Sequence, residues 1–175
     1  MVVHKGKTIF VGDTSVHEYP TSDQMDEIAI SSARVVRLFG FEPKVAFVSH
    51  STFGQPLTSR TKHIRNAVDI LKERKVDFEF DGDMQPDVAL NSEYEELYPF
   101  SKIVGKANIL IMPGQHSAAI SYKMMKTLGD TKVIGPLLIG LGLPIEIAPL
   151  RSSTSEIINL ASIAAYSADV IDYNK

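Results

Sequence analysis

The sequence predicts an α/β protein with a mostly parallel sheet and helices on both faces. Short apolar runs, typical of buried strands, alternate with longer amphipathic stretches, typical of helices, along all 175 residues. Strands and helices in alternation favour parallel strands joined by right-handed crossovers. A chain of this length is expected to form one domain that buries roughly 70% of the unfolded surface.

The first half of the chain predicts three strands and two helices. These elements are a strand over Lys7–Val11, a helix from Thr21 to about Phe39, a strand over Lys44–Val48, a helix from about Leu57 to Arg74 and a strand over Val76–Phe80. Thr21 and Gln24 form a capping-box pattern, which predicts the start of the first helix. Gly40 is placed to terminate that helix, and Pro43 prevents its continuation.

The second half predicts shorter elements around one core strand. They are short helices from about Pro86 and over Ser92–Tyr98, a strand over Ala107–Met112, a helix over Ala118–Leu128, a part-turn, part-strand segment over Val133–Leu141, a strand over Pro144–Ala148 and a last helix from Ser153–Thr154. Ser153 and Glu156 form the capping box of that last helix. The helix is apolar around most of its circumference, which is typical of a central position.

Composition excludes several classes of function. The net charge of −3 argues against a general positive field for nucleic acid. The absence of cysteine excludes disulfides and thiolate metal sites. No apolar run reaches the roughly 20 residues of a membrane span, and no signal-peptide core begins the chain, so a cytoplasmic protein without membrane or nucleic-acid partners is expected. Neither GxGxxG nor GxxxxGK[ST] occurs, which disfavours the two corresponding nucleotide sites.

Three turns that each precede a helix are candidate ligand sites. Ser49–Gln55 offers hydroxyls and a glycine after a strand, which suits an anion, although an ordinary loop with Ser/Thr turns explains it equally well. Pro113–Ser117 follows the core strand and could face the same crevice. The turn Pro149–Ser153 contains Arg151, which could bind a phosphate or pair with a surface acid.

Acidic and histidine residues provide weaker candidates. Asp81, Asp83 and Asp87 could hold a divalent cation, but turn and capping roles explain them better, and no metal site is predicted. The five histidines show no metal-ligand spacing, and His50 and His116 are best explained as surface or packed residues.

Six tracts in order along the chain resemble one known family. They are GDTSVHEYPT (12–21), FEPKVAFVSHSTFG (41–54), DFEFDGDMQPDVALN (77–91), GKANILIMPGQHSAAISYKMM (105–125), IGPLLIGL (134–141) and PIEIAPLRSSTSEIINLA (144–161). Together they resemble the phosphate acetyl/butyryltransferase family, and in detail the version fused to the C-terminus of bacterial NADP-dependent malic enzymes.

The resemblance implies a fold of two lobes, similar to isocitrate dehydrogenase, around a cleft for coenzyme A and acetyl phosphate. By this resemblance residues 1–143 form one lobe, and residues 144–175 are the last strand and helix of the other. The chain is then expected to be a fragment whose missing part completes the surroundings of the last helix. NADP and a divalent metal would belong to the absent malic-enzyme catalytic region.

The family's catalytic residues are not matched. The resemblance implies a Ser-Arg pair before the last helix, which positions the thiol and binds phosphate, and an Asp in the first turn, which acts as base. The positions are Pro149, Leu150 and Glu156 here. Arg151 lies one residue beyond the family arginine. No catalytic residue is therefore expected, because losing one such donor costs about 10²–10³ in kcat.

The resemblance leaves a binding function as the leading hypothesis. Acetyl-CoA is the expected effector, and the expected effector-binding residues are Ser49, Ser51, Thr52, Gly54, Gln55, Gln115, Ser117, Arg151, Ser152 and Ser153. The chain is expected to assemble with itself and to regulate the malic-enzyme catalytic domain of the same polypeptide. An active phosphate acetyltransferase and a purely structural assembly module are the alternatives.

Overall fold

The computed structural model describes residues 1–170 as a mixed α/β fold, as the sequence predicts. Its strands are β1 Val2–His4, β2 Lys7–Gly12, β3 Lys44–Val48, β4 Glu79–Met84, β5 Ile109–Ile111 and β6 Thr131–Val133. Its helices are α1 Ser22–Leu38, α2 Ser59–Glu73, α3 Pro86–Leu90, α4 Gln115–Leu128 and α5 Thr154–Val170, with one 3₁₀ turn over Ser92–Tyr94. Among these helices, none is both long and apolar enough to cross a bilayer.

The six strands form one sheet in the order β4-β3-β5-β2-β1-β6. β2, β5, β3 and β4 pair in parallel, whereas β1 pairs antiparallel with both β2 and β6. One buried cluster lies between the sheet and α1 and α2, and a second involves α3 and α4. Because the two clusters involve different residues of the same strands, helices cover both faces of the sheet.

Helix boundaries follow the caps that the sequence encodes. The Thr21 hydroxyl accepts from the Gln24 amide at 3.2 Å, and the Gln24 side chain accepts from the Thr21 amide at 2.8 Å. Ser153 and Glu156 make the same reciprocal pair at the start of α5. Both predicted capping boxes are confirmed. The helix predicted from Leu57 instead begins at Ser59, because Thr58 caps it through Thr61.

Three strand predictions need correction. β1 was not predicted, and it forms a hairpin with β2 around Lys5–Gly6. The strand predicted over Val76–Phe80 lies over Glu79–Met84, because Glu79 to Gly82 pair with β3 and the Asp81-Gly82 pair lies inside the strand. The strand predicted over Pro144–Ala148 is irregular, and of the Val133–Leu141 segment only Val133 belongs to a strand.

The predicted central position of the last helix is wrong for this chain. Of the residues of α5, only Leu160 is buried, while Ile157 is 49% and Ile158 58% exposed. Two polar contacts hold the helix: Lys126 Nζ lies 2.7 Å from Glu156 Oε1, and the Tyr166 hydroxyl donates to Leu38 O at 3.1 Å. The helix therefore lies across the surface with its apolar side chains largely in solvent.

Candidate functional site

The loops that follow the parallel strands lie at one edge of the sheet. Asp13–His17 follows β2, Ser49–Gln55 follows β3, Gln85 follows β4 and Met112–Gly114 follows β5. In open α/β sheets, the crevice outside the carboxyl ends of the strands is the usual place for a ligand. This edge therefore contains two of the three sequence-predicted turns.

The Ser49–Gln55 loop is fastened to the end of β4 by a buried carboxylate. The Ser51 hydroxyl and the Gly54 amide donate to the two oxygens of Asp83, the latter at 2.9 Å. The Phe53 amide donates to Asp83 O at 2.6 Å, and Ser51 and Asp83 are both completely buried. The Ser51 hydroxyl is consequently used within the protein and does not face solvent.

The remaining groups of this loop divide into buried and accessible ones. Ser49 is buried and the Thr52 hydroxyl accepts from the Gln85 amide at 3.3 Å, whereas Gln55 is exposed. Gly54 has φ +84°, and a Cβ there would lie 2.3 Å from Nη1 of Arg65. Glycine at this position lets the Arg65 guanidinium lie directly over the loop.

Phe53 packs away from the strand edge into an aromatic cluster. Its ring centroid lies 4.8 Å from that of Phe100 and 5.5 Å from that of Tyr98. In the structure it anchors the loop against Tyr98–Phe100.

The predicted residues Gln115 and Ser117 lie at the start of α4. The Gln115 amide donates to Glu18 O at 3.1 Å, and the Ser117 hydroxyl donates to Gly114 O at 2.7 Å. Position 114 has no room for a side chain, because a Cβ on Gly114 would lie 2.8 Å from Glu18 O. The first turn of α4 is thereby held against the loop that follows β2.

The turn Pro149–Ser153 lies near the other end of α4. The Ser152 amide donates to Pro149 O at 2.9 Å, Arg151 is exposed, and Leu150 is fully exposed. Lys126, with the capping bonds of Ser153, lowers the pKa of Glu156 to about 2. Lys126 is eleven residues from Gln115, which corresponds to about 16 Å along the helix. The structure therefore does not bring Arg151–Ser153 and Gln115–Ser117 into one compact site.

The acidic residues considered for a cation have other partners. Asp81 accepts from the Gly82 amide at 2.9 Å and from the Lys102 amide at 2.7 Å, and Asp83 holds the loop described above. Asp87 lies 3.4 Å from the Tyr94 hydroxyl. Within residues 1–170, no group of three or more acidic or histidine side chains is arranged to hold a metal.

A cavity that the sequence did not predict lies elsewhere. It has a volume of about 510 Å³ and lies between α1, the β1–β2 hairpin and the Val133–Ile139 segment; we call it the α1 cavity. Asp13 at its edge accepts from the amides of Ser15, Val16 and His17 and lies 2.8 Å from the His17 ring. Burial acts to raise the Asp13 pKa, but these hydrogen bonds outweigh it and the pKa is lowered.

One sequence signal could have indicated the α1 cavity. Its α1 wall includes Ile28, Ser31, Ser32 and Val35, spaced on one helical face. None of the ten sequence-predicted effector-binding residues lines this cavity.

Comparison with known proteins gives a consistent result. The family described as phosphate acetyl/butaryl transferase matches residues 1–165. An NADP-dependent malic enzyme of Rhizobium meliloti is 48% identical over 164 residues, 94% of this chain and 22% of its own length. A phosphate acetyltransferase of Clostridium acetobutylicum is 35% identical over 91% of this chain and 49% of its own length.

Solved structures agree with the sequence comparison. The EutD phosphotransacetylase of Staphylococcus aureus superposes with a TM-score of 0.88 at 30% identity, over 95% of this chain and 52% of that one. The chain thus spans about a fifth of the malic enzyme and about half of the transferases that it matches. The match over residues 1–165 places the chain in the phosphate acetyl/butaryl transferase family, as a relative of the phosphotransacetylase-like domain of NADP-dependent malic enzymes.

Proposed function

We propose that this chain is the regulatory and oligomer-forming part of a longer NADP-dependent malic enzyme, and that it binds acetyl-CoA without transferring its acetyl group. In this proposal NADP, a divalent metal and the oxidation of malate to pyruvate belong to a catalytic region outside this chain. Residues 1–143 would form one lobe, and residues 144–175 would belong to a second. The chain would assemble with copies of itself and act on the catalytic region through the oligomer.

One observation carries the proposal: the turn before α5 has no side chain suited to acyl transfer. Pro149 and Leu150 occupy the positions where the family resemblance implies a serine and an arginine, and Leu150 is fully exposed hydrocarbon. Neither side chain can donate a hydrogen bond or neutralise a phosphate. Glu156 is engaged by Lys126 and Ser153, so its carboxylate serves the helix cap and an ion pair.

Groups suited to binding an anionic thioester are present beside these positions. Arg151 is exposed next to the turn, and Gln55 is exposed at the end of the Ser49–Gln55 loop. The Arg151 guanidinium is suited to a phosphate, and coenzyme A carries phosphates, which supports an acyl-CoA as the ligand.

Calorimetry on the full-length protein that carries this chain tests the proposal. Acetyl-CoA should bind and should lower the rate of malate oxidation, and Arg151→Ala should weaken both effects. Arg60→Ala, which removes an exposed arginine at the start of α2, is the matched control and should change neither. Absence of acetyl-CoA binding to the full-length protein would reject the proposal.

The second candidate is an active phosphate acetyltransferase. The 35% identity to a phosphate acetyltransferase and the TM-score of 0.88 to a phosphotransacetylase favour it. Acetyl-CoA formation from acetyl phosphate, abolished by Glu156→Ala, would support this enzyme over the regulatory domain.

A further inference from the structure

The α1 cavity is built along one helix and one edge of the sheet. Its α1 wall extends from Gln24 to Val35, about 16 Å of helix, and its floor includes Phe10 of β2 and Val2 of β1. The facing wall is the irregular segment Val133–Ile139. Most of this lining is hydrocarbon, so the cavity offers an elongated apolar surface.

A hydroxyl without a partner in the protein faces this surface. Ser32 is only 8% exposed and lines the cavity, and within residues 1–170 its hydroxyl makes no hydrogen bond. A Cβ on Gly12 would lie 3.1 Å from Ser32 Oγ, so the glycine leaves the space around this hydroxyl open. The unpaired buried side-chain atoms of the described residues are those of Asp26, so Ser32 Oγ is open to the cavity, where a ligand can hydrogen-bond to it.

The charges around the cavity exclude an ionic ligand. Asp13 is paired with His17 at 2.8 Å, and Glu27 is paired with Arg74 at 2.7 Å. No lysine or arginine is among the described residues that line the cavity. An anion would therefore meet two carboxylates and no lysine or arginine, and a cation would have to compete with the partners that these carboxylates already have.

From the volume, the hydrocarbon lining and the unpaired Ser32 hydroxyl, we infer that the α1 cavity binds a neutral amphipathic small molecule. Its ligand would have an aliphatic body along α1 and one hydroxyl or carbonyl group on Ser32. A volume of about 510 Å³ lies in the range of small-molecule sites. This inference does not rest on the acetyl-CoA proposal. The two proposals use different residues, and the α1 cavity is expected to take a neutral ligand, whereas acetyl-CoA is an anion.

Calorimetry at pH 7.5 with three eight-carbon probes tests the inference. We expect saturable binding of 1-octanol, with about tenfold or greater weakening for octanoate and for octylammonium, because burying a charge without a partner is costly. Ser32→Ala should weaken 1-octanol binding about 3- to 10-fold through loss of one hydrogen bond. Ser162→Ala removes an exposed hydroxyl that bonds Ile158 O and should leave the affinity unchanged.

Two substitutions at Val35 test the location without depending on Ser32. Val35→Phe should fill the cavity and abolish binding. Val35→Ala should enlarge it and shift the preference from 1-octanol towards 1-decanol, and this variant retains the test if Val35→Phe does not fold. The inference is overturned by any of three results: no saturable binding up to the solubility of 1-octanol, equal affinity for all three probes, or unchanged binding by Ser32→Ala and Val35→Ala. Binding that disappears in a longer protein carrying this chain would overturn it as well.

Discussion

Replacement of Asp83 by alanine should remove the attachment between the Ser49–Gln55 loop and β4. The Asp83 carboxylate accepts from the Ser51 hydroxyl and from the Gly54 amide, and it is completely buried. Alanine would remove both acceptors and leave two donors in a site closed to water. The change therefore affects one of the three segments in which effector-binding residues are expected.

The magnitude follows from these two hydrogen bonds. A hydrogen bond to a charged group contributes about 1.5–3 kcal/mol, and we expect Asp83→Ala to lower the free energy of unfolding by about 3–5 kcal/mol. Asp83→Asn keeps one acceptor and should lose about half as much. Since a domain is stable by only about 5–15 kcal/mol, the alanine variant should be close to unfolding at 37 °C.

Urea denaturation followed by far-ultraviolet circular dichroism measures both changes. Asp87→Ala is the matched control, because Asp87 is exposed and its contact to the Tyr94 hydroxyl is 3.4 Å long. This control should change stability by no more than about 0.5 kcal/mol. A loss below about 1 kcal/mol for Asp83→Ala, with an unchanged m value, would refute the reasoning that this carboxylate holds the loop.

Three further predictions concern charge and backbone conformation. Arg74→Ala removes the partner 2.7 Å from the buried Asp26 carboxylate, so we expect a loss of stability at pH 7 that shrinks as the pH falls and Asp26 becomes protonated, measured by urea denaturation against pH. Glu156→Gln should abolish the loosening of α5 that we expect as the pH falls from about 4.5 to about 2, measured by amide hydrogen exchange. Gly54→Ala should cost about 1–2 kcal/mol, because its φ of +84° disfavours a side chain.

The signs of the two pH effects follow from the pKa shifts. Burial raises the Asp26 pKa in spite of Arg74, and loss of Arg74 should raise it further, so the penalty grows as the pH rises and the carboxyl ionises. The Glu156 pKa is lowered, so its stabilisation is complete above pH 4.5 and is lost through pH 2. A pH-independent loss in Arg74→Ala, or an α5 that loosens equally in Glu156→Gln, would contradict these assignments.

A matched glycine separates strain from crowding in the Gly54 prediction. Gly6 also has positive φ, but a Cβ there would meet nothing within 4 Å. Gly6→Ala should therefore show the conformational cost alone, and any excess in Gly54→Ala reports the displacement of Arg65. Equal stability of wild type and Gly54→Ala would argue against the loop conformation described above.

Local sequence signals predicted the ends of the helices more accurately than the positions of the strands. The capping boxes at Thr21 and Ser153 are readable because side chain and amide lie three residues apart, and both are confirmed. The position of β4 could not be read, because it depends on pairing with β3: a Cβ on Gly82 would lie 2.7 Å from the Phe47 side chain. The Asp81-Gly82 pair therefore follows tertiary packing and does not form the turn typical of this dipeptide.

The candidate site was predicted only in part, because contacts between distant parts of the chain cannot be read from local sequence. Hydroxyls after β3 were found from the sequence, but their use by Asp83 depends on a residue 32 positions away from Ser51. The α1 cavity is formed by segments from both ends of the chain, Met1 to Val2 and Val133 to Ile139, and no local pattern encodes their approach. The exposure of α5 was not predicted from the sequence. A helix that is apolar around its circumference is expected to be buried, but its sequence does not show which segment packs against it.

The central claim is that this family member holds a thioester without transforming it. The most direct measurement follows acetyl phosphate and coenzyme A formation from acetyl-CoA and phosphate by the full-length protein, in the same preparation that is titrated with acetyl-CoA by calorimetry. We predict saturable acetyl-CoA binding with no transfer above the uncatalysed rate. Transfer that increases in proportion to protein concentration would contradict the account, because Pro149 and Leu150 would then not have removed the catalytic function.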